Sequence, residues 1–598
     1  MFRGIFRTKS LKSILESAEE GHGFGTLKRS LGAFQLTLLG IGAVIGAGIF
    51  STVGTAAAGG ADHVGAGPAL LLSFVITAVT CGFAALCYAE FASMVPISGS
   101  AYTYSYATLG ELVGWIIGWD LIIEYAVGNV AVAISWSGYF QELLRGLGVH
   151  FPNWLGIDYR TAAQSSRQVA EAVASGVDPS TLGAAIVRAA QALADAPQLF
   201  GMPIVFNLPA FAIVMLVTWI LVIGIRESAW FNSSMVILKL AIIVFFVVMG
   251  AFYVKPENWH PFAPNGFKGI AGAAAIIFFA YIGFDAVSTA AEETRNPKRD
   301  LPIAILWSLV ICTVIYMAVA AILTGMLPWN QLGTAEPLAT AFSSLNMTWP
   351  ALIISLGAVF ATTSVLVVFQ LGQPRIFFSM ARDGLLPKWA AKVHPKYQTP
   401  YVTTWLAGWF VAIFASFANI DEIVQLTNIG TLFAFVLVCI GVTILRIKDP
   451  HRERSFRVPL GPWVVPMLGA ASCIFLMVYL PPASWWRFVG WLILGMSVYF
   501  AYGYNNSIVG KQAGRPERAT GLQNLAALGF FLLAFGLFVI PHDAGPSRLF
   551  REALDAAQGG HTRSMVGLAL IVVGLAAGLV GALGSSGRGS NHVGTIDV

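Results

Sequence analysis

The stretch Gly40-Ile-Gly-Ala-Val-Ile-Gly-Ala-Gly-Ile-Phe50 lies in the middle of the first hydrophobic segment that is long enough to cross a bilayer. In hydrocarbon every backbone N–H and C=O group needs a partner, so unwound backbone at that depth is tolerated only where it lines a cavity or contacts a ligand. The four glycines allow such unwinding, because glycine adopts backbone angles that other residues avoid. Small residues also let membrane helices pack closely. The stretch alone therefore leaves two interpretations open, a helix break and a packing face.

The composition decides the class of protein. Hydrophobic residues make up 57% of the 598 positions and charged residues only 11%, which is typical of a polytopic membrane protein. A count of apolar stretches of about 20 residues predicts fourteen membrane-spanning helices, at 34–58, 69–95, 110–142, 206–224, 231–254, 268–291, 303–326, 351–378, 401–418, 425–445, 462–481, 485–505, 521–541 and 564–584.

The distribution of Lys and Arg predicts that both termini lie in the cytoplasm. The segment 1–33 is basic and lacks a cleavable signal pattern, and the basic loops Arg375–Lys396 and Arg446–Arg457 fall on the same side of the membrane. The tail 585–598 then also lies inside, and we expect the cell (plasma or inner) membrane as the location. The net charge of +5 reflects this asymmetry, and nothing in its distribution indicates a nucleic-acid partner.

Two regions depart from the regular succession of spans. Residues 145–200 face outward between spans 3 and 4, and their Ala-rich composition predicts one or two short surface helices. These helices are either a lid over the outer mouth or a tolerated loop insertion. After spans 11 and 12 (462–505), the last pair of spans (521–584) looks appended to a twelve-span unit.

The five cysteines all fall inside predicted spans, and no histidine cluster accompanies them. Neither a disulfide framework nor a metal site is therefore expected. Free cysteines buried as small apolar side chains explain this pattern.

Ionisable residues within the spans are the strongest candidates for chemistry. Lys239 lies near the middle of span 5, where an uncompensated charge costs at least about 2.5–3.5 kcal/mol. Glu124 lies near the centre of span 3, with Asp120 one turn earlier on the same face. Either group is a candidate for proton exchange, since burial moves the pKa values of both residue types toward neutrality. The alternative is a buried ion pair that only holds spans together.

The sixth span supplies a second candidate break. In Ala275-Ile-Ile-Phe-Phe-Ala-Tyr-Ile-Gly-Phe-Asp-Ala, aromatic residues flank Gly283 and Asp285 follows. Interrupted helices five spans apart indicate an inverted-repeat transporter with its substrate at the midplane. The N-terminus of a half-helix suits a carboxylate, and exposed carbonyls suit an ammonium group. An α-amino acid carries both groups.

These motifs resemble the amino acid–polyamine–organocation superfamily, and most closely its cationic amino acid transporter family. The resemblance covers about 28–505 and implies an all-α fold of two inverted five-helix repeats within a transporter core at 34–447, with spans 1 and 6 discontinuous. The motifs that carry it are Gly40–Phe50, Tyr88–Tyr104, Gly118–Tyr125, Phe278–Asp285, Ala291–Pro302 and Pro374–Pro387.

The resemblance also implies roles for individual residues. The substrate carboxylate would meet the backbone amides of Ala47, Gly48 and Ile49, and its amino group the carbonyls near Ile45, Phe278 and Ile282. Phe278 is similar to the family's aromatic gate, Lys239 to a span 5 lysine of proton-coupled members, and Glu124 to a span 3 glutamate that takes part in the conformational change. The residues that fit a cytoplasmic gate are Arg375, Glu292 and Glu293.

The resemblance therefore implies a transporter that imports L-amino acids by alternating access, coupled to protons and without a cofactor. Cationic amino acids such as arginine and lysine are candidate substrates, although neutral ones stay open because Glu124 is the main intramembrane acid. Uniport, exchange and amino acid sensing are the alternatives. An enzyme is not expected, because the sequence lacks a zinc-binding His-Glu-x-x-His motif, a phosphate-binding loop and a serine elbow.

Overall fold

The structure is a computed structural model, and it describes residue 7 and residues 31–60, 63–94, 100–182, 184–200, 202–223, 229–288, 294–397, 399–512, 521–539 and 562–587. Glu292 and Glu293 of the predicted cytoplasmic gate lie outside the described residues, as do nearly all of the segment 1–33 and the tail from 588 onward.

The chain is an all-α polytopic membrane protein, as predicted, and each of the fourteen predicted spans coincides with a helix or a pair of helices. In chain order the span helices are Ala33–Val44 with Gly48–Ala58, Leu70–Met94, Glu111–Gly146, Leu208–Ile223, Ala229–Ala251, Gly266–Ile277 continued by Phe278–Tyr281, Pro297–Met326, Thr348–Arg382, Tyr401–Phe417, Ile420–Lys448, Val464–Tyr479, Pro482–Asn506, Gly521–Val539 and Thr562–Gly587.

Length and composition single out the helices that can cross a membrane. Within the described ranges seven helices qualify, or nine if each of two bent pairs is one span, and four shorter apolar helices accompany them. The bend is 43° within span 1 and 115° between Val464–Tyr479 and Pro482–Asn506, the predicted spans 11 and 12. The continuous spans are held by helical hydrogen bonds within each segment, which hydrocarbon demands.

Shorter helices complete the connections between spans. They are Gly67–Ala69, Ser100–Thr108, Asn153–Leu155, Tyr159–Ala174, Pro179–Leu182, Ala184–Asp195, Pro256–Trp259, Trp329–Gln331, Pro337–Ser343, Lys388–Ala391 and Ile508–Gln512. The strands β1 (Gln198–Leu199) and β2 (Met202–Pro203) pair antiparallel at the end of the insertion.

The insertion between spans 3 and 4 folds as a small unit with its own core. Its first helix, Tyr159–Ala174, and its second helix, Ala184–Asp195, pack around Ala162, Ala192 and Val205. Asp158 caps the first helix, because its carboxylate accepts hydrogen bonds from the Thr161 N–H (2.9 Å) and hydroxyl (2.5 Å).

The insertion is anchored to the ends of spans 3 and 10. Asn419 Nδ2, at the start of span 10, donates to Thr161 Oγ1 at 2.8 Å, and Arg160 pairs with Glu422 at 2.5 Å. On the span 3 side, Gln141 Nε2 donates to the Gly156 carbonyl at 2.7 Å. Spans 3 and 10 therefore hold the insertion from two sides.

Span 12 is fastened to span 3, and the last two spans pack against it. The indoles of Trp119 and Trp491 each donate to the other residue's carbonyl, at 2.8 and 3.2 Å, and their rings stack 4.7 Å apart. Ser497 donates to the Ala527 carbonyl of span 13 at 2.8 Å. Spans 13 and 14 therefore contact the transporter core through span 12.

Candidate substrate and coupling site

Span 1 is interrupted within the glycine-rich stretch. Its first half ends at Val44, Ile45 adopts an extended conformation (ψ 97°), and a π-helical turn begins at Gly48. The first N–H groups of a helix have no acceptor in a preceding turn. The second half of span 1 therefore directs backbone donors at the break, where Ala47, Gly48 and Ile49 lie.

Span 6 is interrupted in the same manner. Its first half ends as a 3-10 turn over Phe278–Tyr281, and Ile282 is extended (ψ 134°). Gly283 follows with φ +117°, where an added Cβ would also lie 2.8 Å from the Ala43 carbonyl oxygen. Only glycine fits this position without strain, so the break and its approach to span 1 depend on it.

The two breaks cross in direct backbone contact. A Cβ added at Gly48 would lie only 2.2 Å from the Ala280 Cα. The Tyr316 hydroxyl of span 7 lies 2.9 Å from both the Val44 and the Ala280 carbonyl oxygens. One hydroxyl group is therefore within hydrogen-bond distance of both broken segments. Sequence reasoning missed Tyr316, although a buried tyrosine hydroxyl in an apolar span requires a partner and is a usable signal.

Lys239 donates hydrogen bonds to carbonyl groups at the span 1 break. Its Nζ donates to the Gly42 carbonyl at 2.9 Å and to the Ile45 carbonyl at 3.2 Å, and the side chain is 1% exposed. Among the described residues no carboxylate lies within ion-pair distance of it. The ammonium group is therefore stabilised by the carbonyls of span 1.

Phe278 is fully buried at the end of the first half of span 6. Its ring meets Phe435 of span 10 edge to face, with centroids 5.6 Å apart. Asn428 of the same span donates through Nδ2 to the Ala275 and Ile276 carbonyls, at 2.7 and 2.9 Å. Span 10 thus holds the segment that carries Phe278, a contact that sequence reasoning did not identify.

Glu124 lies in a π-helical turn, Ile123–Val127, in the middle of span 3. Such turns often occur at functional sites. Its carboxyl group is buried within electrostatic range of Asp285, which follows the span 6 break, and of Asp120. In the part of the chain that the structure describes, both carboxylate oxygens of Asp120 lack a hydrogen-bond partner. Glu124 therefore lies within electrostatic range of two further carboxyl groups, one on its own span and one after the span 6 break.

Arg375 is exposed near the end of span 8. Because Glu292 and Glu293 lie outside the described residues, the gate network of these three residues stays a prediction. A different contact ties this region together, because the Tyr102 hydroxyl donates to Asp383 Oδ2 at 2.7 Å. That contact joins the helix after span 2 to the end of span 8.

The second half of span 1 is held from two directions. Tyr139 of span 3 donates to the Phe50 carbonyl, and Ser51 donates to the Ala335 carbonyl of the loop between spans 7 and 8. Ser51 also lies 2.6 Å from Ser135 Oγ. These groups hold the second half of span 1 against span 3 and the 327–347 loop.

The surroundings of the break on the span 8 side are apolar. A Cβ on Gly46 would lie 2.9 Å from a Val365 methyl group. The rings of Phe369 and Tyr125 pack edge to face, with their centroids 5.7 Å apart. A Cβ on Gly128 would lie 3.3 Å from the Phe369 ring. A side chain that projects from the break toward span 8 would therefore meet aliphatic and aromatic groups.

Comparisons with known proteins identify the family of this chain. A family model described as "Amino acid permease" matches residues 31–499. The Branched-chain amino acid permease BcaP of Bacillus subtilis (strain 168) is 47% identical over 504 residues, which cover 84% of this chain and 98% of that protein. The Methylthioribose transporter of the same organism is 44% identical over 507 residues, which cover 85% of this chain and 99% of that protein. Cationic amino acid transporter 2, vacuolar, of Arabidopsis thaliana is 35% identical over 75% of this chain and 64% of its own length. The chain belongs to the amino acid permease family of the amino acid–polyamine–organocation superfamily, as its motifs predict.

Proposed function

We propose that this protein imports L-amino acids across the cell membrane by alternating access, driven by a proton gradient. The observation that carries the proposal is the contact of Lys239 with the Gly42 and Ile45 carbonyls at the break of span 1. A titratable ammonium group that is bonded to the substrate-binding backbone can link a proton to the shape of the site.

The two breaks supply complementary poles for a zwitterion. The donors at Ala47, Gly48 and Ile49 form the N-terminus of a half-helix, whose positive dipole end favours the substrate carboxylate. The carbonyls near Ile45, Phe278 and Ile282 are the acceptors for its amino group. Each carbonyl has two lone pairs, so Ile45 can accept from the substrate and from Lys239.

Proton coupling then follows from what Lys239 can donate. A protonated Lys239 donates to both carbonyls and holds span 1 in the observed form, whereas a neutral amine has fewer hydrogens and no charge to stabilise. Loss of the proton therefore weakens the link between spans 5 and 1. Glu124 would respond to the resulting movement of the broken segments through its electrostatic interaction with Asp285. In this proposal the proton is the coupling ion.

For the substrate class, the proposal favours amino acids with a neutral, branched side chain over cationic ones. Val365 of span 8 lies against Gly46 at the break, and Phe369 follows one turn later on the same span. A cationic side chain there would be desolvated without a paired charge, which is costly. The relative at 47% identity is named as a permease for branched-chain amino acids, which is the same class.

The test is uptake into proteoliposomes with an imposed inward proton gradient, comparing radiolabelled leucine with arginine and using unlabelled methylthioribose as a competitor. Accumulation of leucine that requires the gradient is expected in the native protein and should be lost in Lys239→Ala. Lys268→Ala, which alters an exposed lysine at the start of span 6, is the matched control and should retain coupled uptake.

Three results would overturn parts of the proposal. Leucine uptake that ignores the proton gradient would indicate uniport or exchange. Binding without flux would indicate a sensor. Preferred uptake of arginine over leucine would reject the substrate class while leaving the transport mechanism in place.

A further inference from the structure

A recess of about 210 Å³ lies on the outer face, between the end of span 3 and the second insertion helix. Span 3 contributes Gln141 and Arg145, the insertion helix contributes Arg188 and Gln191, and the connecting loop contributes Asn153. Its polar lining consists of guanidinium and amide groups, with one imidazole. No carboxylate is among the residues that line it.

The two arginines differ in how their charge is compensated. Arg145 pairs with Glu142, whose other oxygen accepts from the Ser343 hydroxyl at 2.7 Å. Arg188 is only partly exposed and, within the described residues, has neither a hydrogen bond nor an ion pair. Burial and the nearby Arg145 charge lower the pKa of Arg188, against the opposing pull of Glu336 and Glu142. The recess therefore contains one half-buried cation that lacks a direct counter-ion.

The lining fits a small solute that carries a carboxylate. A guanidinium group forms short, charge-assisted and often bidentate hydrogen bonds with a carboxylate. The amide oxygens of Gln141, Asn153 and Gln191 are acceptors of the kind that an ammonium group needs. Val149 and Phe151 add an apolar wall to the same recess. A free amino acid presents all three kinds of group.

The position of the recess relates it to the transport pathway. Gln141 and Arg145 lie less than two helical turns beyond Tyr139, which bonds to the second half of span 1 through the Phe50 carbonyl. Glu142 contacts the loop between spans 7 and 8 through Ser343. The recess is therefore built on the same helix that holds the second half of span 1.

We propose that this recess is a second, extracytoplasmic binding site for small carboxylates, with Arg188 as the main anion-binding group and the transported amino acid as its natural occupant. The identity of the occupant rests on the proposed function, whereas carboxylate binding by the recess does not. The site would collect substrate at the outer face before the site between spans 1 and 6 opens.

The experiment is amide hydrogen exchange on the full chain in lipid nanodiscs, with three probes of equal size and different charge. Leucine and 4-methylpentanoate carry the carboxylate, and leucinol lacks it. Leucine and 4-methylpentanoate are expected to protect residues 149–153 and 184–195, and leucinol is not. In Arg188→Gln the concentration for half-maximal protection should rise about tenfold or more, since a charge-assisted hydrogen bond is lost.

Arg167→Gln, on the exposed face of the first insertion helix, is the matched control and should behave as the native protein. Arg188→Lys keeps the charge and should retain most of the protection, which separates ligand binding from a packing role of the side chain. In uptake assays Arg188→Gln should raise the KM for external leucine several-fold with the maximal rate unchanged.

Equal protection by leucinol and 4-methylpentanoate, or no protection by any probe, would overturn the site. If 4-methylpentanoate protects the recess and leucine is not transported, the site stands and the proposed function fails. If leucine is transported and the recess is not protected, the proposed function stands and the site fails.

Discussion

Among the described residues, glycine permits close contact both at the crossing of spans 1 and 6 and between spans 13 and 14, and only the first of these pairs is broken. At the crossing of spans 1 and 6, Gly48 faces Ala280, and both helices are interrupted. Between spans 13 and 14, a Cβ on Gly529 would lie 2.1 Å from the Gly578 nitrogen, yet both helices are continuous there. Glycine therefore permits close backbone contact in both places but does not by itself break a helix.

The difference lies in the polar side chains around each contact. Tyr316, Lys239 and Asn428 donate to carbonyls of spans 1 and 6. Such donors stabilise the carbonyl groups that lose their helical hydrogen bonds when the helix unwinds. Hydrocarbon contains no other donors for these carbonyl groups. The contact between spans 13 and 14 involves glycines and apolar residues such as Leu533 and Ile571. It is a packing contact of the kind common in membranes.

The largest expected effect comes from placing a methyl group at the crossing. Gly48→Ala would bring a Cβ within 2.2 Å of the Ala280 backbone, and backbone cannot yield as a flexible side chain does. We expect this variant to lose measurable leucine uptake. In Gly578→Ala the nearest atoms lie at 3.5 Å, an ordinary contact, and uptake should be unchanged. Equal uptake by the two variants would remove the distinction between the contacts.

Removing a single donor tests whether polar support maintains the break. Tyr316→Phe deletes the hydroxyl between the Val44 and Ala280 carbonyls, which costs about 1–3 kcal/mol for buried groups left unpaired. Initial uptake rates should fall by about tenfold or more. Ser497→Ala removes one donor between spans 12 and 13 and should leave the rate near that of the native protein. Native rates in Tyr316→Phe would show that the hydroxyl does not support the site.

The packing contact is expected to affect stability without affecting transport. In Gly529→Ala the added Cβ would overlap backbone atoms of Ala577 and Gly578. Spans 13 and 14 must therefore move apart. We expect a lower melting temperature in detergent, with uptake per folded molecule within about twofold of native. The reason is that, in the described part of the chain, the hairpin packs on span 12, away from the break. A proportional loss of uptake would instead place spans 13 and 14 in the transport cycle.

The smallest effect concerns the insertion, which lies apart from both contacts. Burial raises the pKa of Asp158 to about 6, despite its hydrogen bonds from Thr161. A carboxyl group with a raised pKa in the folded state stabilises that state below its unfolded pKa of 3.8, and this contribution is lost as pH rises through 6. Exchange protection of the first insertion helix should therefore decrease from pH 4 to pH 7, by up to about 3 kcal/mol.

Asp158→Asn should flatten this pH dependence and keep much of the cap, because asparagine is also a good N-cap residue. Hydrogen exchange across that pH range measures both changes. A native-like pH dependence in Asp158→Asn would assign the titration to another group, and uptake should differ little between the two proteins.

Individual residues show how far sequence reasoning reached. The breaks in spans 1 and 6 were predicted because glycine in a membrane span is conspicuous, and Lys239 and Glu124 because a charge in hydrocarbon is rare. The partners of those residues were not predicted. Tyr316 is 272 positions from Val44, and Asn428 is 153 from Ala275, so no local pattern records these contacts. The roles of the predicted site residues in transport stay predictions until uptake is measured.

The sequence by itself determined that this protein crosses a membrane many times, which residues are charged at depth, and which family it belongs to. These properties follow from composition, local spacing and short motifs, each of which is complete within a few tens of residues. The tertiary structure alone decided that the two breaks cross, that Lys239 bonds to span 1 carbonyls, and that Arg188 and Arg145 line one recess. Those are contacts between segments distant in the chain, and only the packing of the helices brings them within hydrogen-bond or van der Waals distance.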